Sequence, residues 1–307
     1  MPLDRKGQLM LEVRRLRLLH ELAHYGTVSA TAEALRLTGP AVSQQLAALE
    51  REAGTALLEK RGRTLVLTAA GQLLVSHADI ILADVAAAES ALASLRANGS
   101  GTVRLAAFPS AARNLVAPIW TAVPGVTLRL VEQEPDSATA TLMHREVDIA
   151  VVHSYTLLPR EMPVNCEEHA IADDPVLLAL SPETARERGL AQGQKASLAR
   201  FADSPWLVPS KEYSCHEMIQ RACGAVSFVP DVVAEATDFA VIVALVAAGA
   251  GVALVPRMAL PQAHAPVSLH PLTKPVVRKI YALTRTGVAR RPDVRAVLGA
   301  LSAGVDN

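Results

Sequence analysis

The chain has 307 residues, half of them apolar and a fifth charged, with 30 Lys+Arg balanced by 30 Asp+Glu. Such a composition excludes a disordered or fibrous chain and one coated throughout in nucleic acid, and it allows two or three globular domains. Aromatics make up only 3%, so the cores must be built mainly from Leu, Val and Ala.

Charge is uneven along the chain. Residues 1–64 hold ten Lys/Arg against seven Asp/Glu, a basic head on a slightly acidic remainder. Cys166, Cys215 and Cys223 form no CxxC pair and read as reduced thiols, a redox-sensing pair being the alternative. The opening MPLDRKGQLM lacks the apolar run of a secretory leader, so a cytoplasmic location is expected. The most apolar stretch, 239–255, is interrupted by Gly249 and Gly251. It reads as a helix leading into a buried strand, and no membrane association is expected.

In chain order, residues 11–25 carry a helical apolar stripe (Val13, Leu16, Leu19, Leu22) stopped by Gly26. Ser29 is expected to cap a short second helix, and Arg36-Leu37-Thr38 forms a tight turn. Thr38 caps a third helix with Pro40 in its first turn, where a missing N–H costs nothing. Leu35, Leu37, Val42, Leu46 and Leu49 are expected to face inward, and Gly54 ends the helix. Lys60-Arg61-Gly62-Arg63 forms the basic tip of a small hairpin. Thr68 then caps a long helix to about residue 97. Its apolar positions (Leu73/Leu74, His77, Ile80/Ile81, Val85, Ala88, Leu92, Leu95) recur near every 3.5 residues, a seam that favours self-association. Residues 98–101, Asn-Gly-Ser-Gly, read as a linker.

Beyond the linker, strands and helices alternate. Strands are expected at 103–108, 126–132 and 148–152, with helices at 111–121 and 137–145. A second set runs from 176–180 through helices near 197–202 and 215–223, strands at 206–208 and 229–234, helix 238–248 and strand 252–255. Strands at 267–272 and 279–283 and a helix after Pro292 complete the chain. This is the rhythm of parallel α/β sheets, in two lobes with a cleft between them.

The first three helices and the hairpin have the parts of a winged helix-turn-helix: a bracing helix, a short turn, and a second helix with a small, polar outer face. Pro40, Ala41, Ser43, Gln44 and Gln45 lie on or near that face. Ser and Gln can hydrogen-bond base edges, and Lys60, Arg61 and Arg63 suit phosphate or minor-groove contact.

The stretch GTVSATAEALRLTGPAVSQQLAALEREAGTALLEKRGRTLVLTAAGQLL resembles the DNA-binding head of LysR-type transcriptional regulators, and the resemblance extends more weakly over the rest of the chain. GTVRLAAFPSAARNLVAP is similar to the family's first effector-domain strand and helix, DIAVVHS to the strand closing the first lobe, and ATDFAVIVALVAAGAGVALVP to a second-lobe element. The resemblance implies an α/β architecture in three parts. Residues 1–68 would be the winged helix-turn-helix and 69–97 a linker helix for dimerisation. Residues 98–307 would be a two-lobed effector domain of periplasmic-binding-protein type. It places DNA contacts at Ser29, Thr38, Pro40, Ser43, Gln44, Lys60 and Arg63. The family usually has Gln where this chain has Gly39, and Arg is frequent at the Gln44 position. It implies double-stranded DNA with dyad symmetry, a small-molecule effector, a homodimer assembling further to a tetramer, and contact with RNA polymerase as partners. No cofactor or metal is implied. The nine residues before Met10 fall outside the family's usual start, either an extension or a sign that translation begins at Met10.

Candidate effector positions are Ser110 and Ala111, at a helix N-terminus following a strand, where unsatisfied N–H groups favour anions. Glu132, His153, Ser154, Pro209, Ser210 and Thr237 sit at strand ends or helix starts, where open α/β sheets present ligand contacts. Glu132 suits a cationic group, and His153 is a candidate for tuning affinity with pH. No GxSxG, HExxH or GxxxxGK[ST] motif is present, so catalysis has little support. A solute-binding protein and an α/β enzyme are the competing classes. The effector, the operator and the direction of regulation are not written in the chain.

Overall fold

A computed structural model describes residues 10–61, 64–96, 101–263 and 266–304. Arg63 and most of the expected linker at 98–101 lie outside the described residues.

The head consists of α1 (Val13–Tyr25), α2 (Val28–Ala34), α3 (Gly39–Ala53) and the hairpin β1 (Leu58–Arg61) and β2 (Thr64–Leu67). Leu16, Leu19, Leu22, Val42, Leu46 and Leu49 converge on one core without a Phe, Tyr or Trp among its buried residues. α1 and α3 end in left-handed glycines, Gly26 (φ 72°) and Gly54 (φ 67°), the conformation a glycine adopts without penalty. Two local expectations need correction. Thr27, not Ser29, caps α2: its hydroxyl accepts the Ala30 N–H at 3.2 Å. Gly26 turns the chain so sharply that the next residue is already in the extended cap conformation. Leu37, expected in the core, is exposed because the left-handed Arg36 (φ 54°) turns it outward. Thr38 does cap α3, accepting from the Ala41 N–H. Glu50 Oε1 accepts the N–H groups of Leu57 (2.9 Å) and Leu58 (3.1 Å), which pins the hairpin to α3.

α4 (Ala69–Arg96) is a single helix of 28 residues. Thr68 caps it through the Gly71 N–H at 3.0 Å. A side chain at Gly71 would place its Cβ 2.1 Å from the Leu57 carbonyl oxygen, so only glycine lets the hairpin lie this close to the helix. One face of α4 carries Leu74, Val75, Ala78 and Leu82 into the head core. The other presents Leu73, His77, Ile81, Val85, Ala88 and Leu92 at helical spacing to solvent. By length and composition alone, Ala69–Glu89 is apolar enough to cross a membrane.

The rest of the chain forms two lobes. The first begins with β3 (Gly101–Ala107), then one continuous helical run of α5 (Pro109–Ala111), a π-helical stretch (Ala112–Val116) and α6 (Ala117–Ile119). β4 (Val126–Glu132), α7 (Pro135–Met143) and β5 (Ile149–Tyr155) follow. The chain then crosses to the second lobe along the 15-residue β6 (Cys166–Leu180). There it forms α8 (Pro182–Glu187), β7 (Pro205–Pro209), α9 (Ser214–Gly224), β8 (Asp231–Ala236), α10 (Phe239–Ala247), β9 (Ala253–Pro256) and β10 (Ser268–Pro271). It returns along β11 (Val277–Arg285) and ends in α11 (Pro292–Ala303).

The sheets are mixed rather than parallel. β3 pairs parallel with β4 and β5, and β7 with β8. β11 runs antiparallel between β5 and the first half of β6, while the second half of β6 pairs antiparallel with β9 and β10. Because the chain enters one lobe on β6 and leaves it on β11, these two strands run in opposite directions. The first half of β6, CEEHAIADDP, escapes a hydrophobicity reading because its acids and Pro175 have low strand propensity. Pairing with β11 imposes the strand there. Buried Val, Leu and Ala fill both lobes, joined in the second by Trp206 and Phe201.

Candidate functional site

The two ends of the molecule carry two different surfaces. On α3, Pro40, Ser43 and Gln44 are exposed while Val42, Leu46 and Leu49 are buried. The 3.6-residue period of the helix turns Val42, Leu46 and Leu49 inward and leaves a polar N-terminal outer face, with no long apolar group to keep it from a groove. Gln45 is not part of that face: it is half-buried and accepts from Arg15 Nε at 2.9 Å. Arg15 also pairs with Glu52, so this guanidinium braces α1 against α3. Ser29 and Thr38 are exposed at the starts of α2 and α3. Lys60 is exposed on β1, and the neighbouring Arg61 pairs with Glu59 at 2.8 Å.

Between the lobes lies a cavity of about 480 Å³. Of the sequence-derived effector positions, Ser110, Glu132, His153, Pro209 and Thr237 line it. Three do not. Ala111 is buried in the first-lobe core. Strand alternation puts Ser154 on the opposite side of β5 from His153 and Tyr155, where it hydrogen-bonds Tyr281. Ser210 is held by backbone bonds to Ala236 and Tyr213.

The cavity floor is a buried ion pair. Arg278 on β11 donates to Asp174 on β6 through Nη2 at 2.7 Å and Nε at 3.0 Å, and both side chains are buried. Arg278 also donates to Ser110 Oγ at 3.0 Å and lies 4.9 Å from the centre of the Phe108 ring. Asp174 in turn accepts the Met258 N–H at 3.0 Å. A second cation, Arg113, donates from the first lobe to the carbonyls of Met258, Ala259 and Leu260 in the second (3.1, 3.3 and 3.0 Å). Asn114 adds a bond to the Met258 carbonyl at 2.9 Å. The lobes are thus tied from hinge to cleft mouth by charge-assisted bonds.

His153 is buried and hydrogen-bonded through Nε2 to Ser214 Oγ at 3.1 Å. Burial, with Arg278 and Arg160 adding, holds it well below the ordinary histidine value. It therefore stays neutral at physiological pH, which corrects the expectation of a pH-tuned His153. Glu134, missed by the sequence reading, also lines the cavity, and burial pushes it up to about 7. Its signal was present in the chain: Glu132-Gln133-Glu134-Pro135 puts two acids two residues apart in extended backbone, hence on one side. The thiols are poor redox candidates. Burial pushes Cys215 up to about 11 and Cys223 up to about 12, far from the thiolate needed for reaction. Among the described residues no cluster of ligating side chains could hold a metal ion.

A small head with a polar recognition helix, joined by a long helix to two lobes that enclose a cavity, defines a DNA-binding regulator with an effector-binding domain. Residues 13–72 match the family model of the bacterial regulatory helix-turn-helix protein, lysR family, and residues 96–306 match the LysR substrate binding domain. The chain belongs to the LysR family of transcriptional regulators. It is 31% identical to the HTH-type transcriptional regulator BudR of Raoultella terrigena, over 85% of this chain and 90% of that protein. It is 26% identical to the nitrogen assimilation regulatory protein nac of Escherichia coli, over 81% and 79% respectively. These relatives are regulators of transcription, not enzymes. Among solved structures, a C206 mutant of Corynebacterium glutamicum OxyR superposes with a TM-score of 0.58 at 23% identity, over 99% of this chain and 94% of that one. Full-length CbnR complexed with its target DNA has a TM-score of 0.53 at 21% identity, over 96% and 99%. The likeness to these structures is one of fold.

Proposed function

We propose that this regulator binds a dyad operator as a homodimer formed through the exposed face of α4, with tetramers arising as pairs of dimers. Division into a head (1–68), a linker helix (69–97) and an effector domain (98–307) is part of this reading. The observation that carries it is the pairing of two surfaces. α3 offers Pro40, Ser43 and Gln44 outward at its N-terminal end, and α4 leaves an apolar stripe for a second copy to cover. A two-fold dimer places two recognition helices on successive half-sites. Ser29, Thr38, Lys60 and Arg63 then serve as backbone contacts that set the register, and Ser43 and Gln44 as readers of base edges. A small-molecule effector binds between the lobes against Ser110, Glu132, His153, Pro209 and Thr237, and shifts the balance of lobe arrangements. In this reading the protein works on chromosomal DNA in the cytoplasm, and contact with RNA polymerase belongs to the same reading.

The test is a pair of titrations of the full chain at one salt concentration, on its operator and on scrambled DNA. Gln44→Ala is expected to cost about 1–3 kcal/mol on the operator and far less on scrambled DNA, where phosphate contacts dominate. Equal losses on both would remove Gln44 as a base reader.

A further inference from the structure

The sign of the charge left free in the cleft bears on what the cleft holds. The two guanidinium groups at the cavity, Arg278 and Arg113, both bond oxygens of the protein itself. Arg278 is spent on Asp174 and Ser110, and Arg113 on three carbonyls across the lobe boundary. Ser110 Oγ accepts from Arg278 and keeps its own O–H to donate to any ligand acceptor, so it does not set the sign of the ligand's charge. The α10 N-terminus is closed by its own acid, since Asp238 Oδ1 accepts the Ala240 N–H at 2.8 Å. Glu132 and Glu134 also line the cavity, and neither carboxylate has a hydrogen bond or ion pair among the described residues. One further buried polar atom is unused. His153, 3% exposed, lines the cavity and its Nδ1 has no partner. A neutral imidazole that donates Nε2–H to Ser214 keeps a lone pair on Nδ1, an acceptor for an incoming N–H.

Resting on the reading of this cleft as the effector site, we propose that the effector is a small organic cation. It carries one or two protonated amines on an apolar frame, its ammonium held between Glu132 and Glu134. Anions are disfavoured because Arg278 already has its charge met by Asp174 and Arg113 is turned to carbonyls of the second lobe, while the two acids have no hydrogen bond or ion pair among the described residues. Tyr213 and Phe239, half-buried at the same cavity, supply ring faces for the apolar frame and for cation–π attraction, while Phe108 and Tyr155 are buried in its wall. A cation between the two acids also relieves their mutual repulsion, which an uncharged ligand leaves in place. Its binding drives a proton off Glu134. That carboxyl faces Arg278 from β11, Glu132 from β4, Asp136 from α7 and Arg160 from the segment after β5. With Glu134 near 7 in the empty cleft, affinity for the cation rises as the pH rises through neutrality.

The test uses the full chain with four probes: 1,4-diaminobutane and n-butylamine against succinate and butyrate. Thermal stability, hydrogen exchange and retardation of a fragment carrying the chain's own promoter are measured with each. The amines are expected to raise the melting temperature with concentration and to protect peptides spanning 108–110 and 132–134. Glu132→Gln and Glu134→Gln together are expected to weaken amine binding by about tenfold or more. Protection of these peptides by succinate and not by diaminobutane overturns the cation and leaves the effector cleft standing. Amine binding that protects other peptides, or that the double variant retains in full, overturns it too, as does the absence of any amine effect. Amine protection of the cleft without any change in promoter binding leaves the cation assignment intact and sinks the effector reading instead.

Discussion

At position 39 the recognition helix opens with a glycine whose added Cβ would meet only a Val28 methyl at 4.0 Å. The site has room for a side chain pointing toward DNA. Gly39→Gln is therefore expected to leave the fold at least as stable, by up to about 1 kcal/mol, because glycine's extra freedom in the unfolded chain is lost. It is expected to tighten operator binding by adding a donor–acceptor pair, read by retardation beside the parent protein. Arg278 is the opposite case, a residue with no room for change. Arg278→Met leaves Asp174 buried without its cation, and chemical denaturation is expected to show a loss of about 3–5 kcal/mol. Adding Asp174→Leu to the same chain should recover much of that loss, since it is the unpaired charge and not the missing pair that is costly.

Among elements, α4 shows how one helix serves two purposes. Its buried side anchors the head, so a charge at Leu74 would damage the head core rather than test self-association. Ile81, Val85 and Leu92 are the exposed positions to alter. Changing these three to Asp is expected to yield a folded monomer by light scattering, with operator affinity falling to that of a single half-site. A dimer that persists would place the interface elsewhere. The same helix shows what a sequence reveals and what it hides. Its cap at Thr68, its length and its 3.5-residue apolar spacing were legible, but which apolar residues face inward was not, because both faces of α4 are apolar. The head was legible nearly throughout: Gly26, Thr38, Pro40 and Gly54 each act on their own neighbours. Ser29 failed as a cap because two hydroxyl residues, Thr27 and Ser29, stand on either side of Val28 and the backbone turn at Gly26 chose Thr27. In the cleft, strand ends were found, but which side of β5 faces the cavity, that of His153 and not of Ser154, depends on register. So does the antiparallel course of β6 and β11, since pairing across distant segments leaves no local mark.

For the whole molecule, the junction of head, helix and first lobe is a small polar knot. Asp79 on α4 accepts from His20 on α1 at 2.7 Å, from Arg145 after α7 at 3.0 Å and from Asn165 before β6 at 3.2 Å. Burial works against ionising Asp79, but the hydrogen bond and charge of His20, with Arg145, outweigh it and hold the carboxyl below its ordinary range. A carboxylate held low contributes stability that is fully present above its ordinary value and is lost as pH falls through its folded value. Asp79→Asn is expected to cost about 1.5–3 kcal/mol near neutral pH, and the gap from the parent should close in acid. A gap constant with pH would assign Asp79 a packing role instead. Three segments thus share one carboxylate, which ties α1 of the head and the first lobe to the same point of α4.

The near absence of aromatic residues from the head has an optical consequence. Both tryptophans, Trp120 and Trp206, belong to the effector lobes, one half-exposed and the other fully buried against Phe201 and Phe228. Tryptophan emission from this protein therefore reports on the lobes alone, while the head and α4, rich in helix, dominate circular dichroism relative to their size. Melting followed by the two signals separates the halves of the molecule without a label. If the head and lobes unfold as one unit, the curves coincide. If the junction at Asp79 lets go first, the dichroism falls while the emission holds.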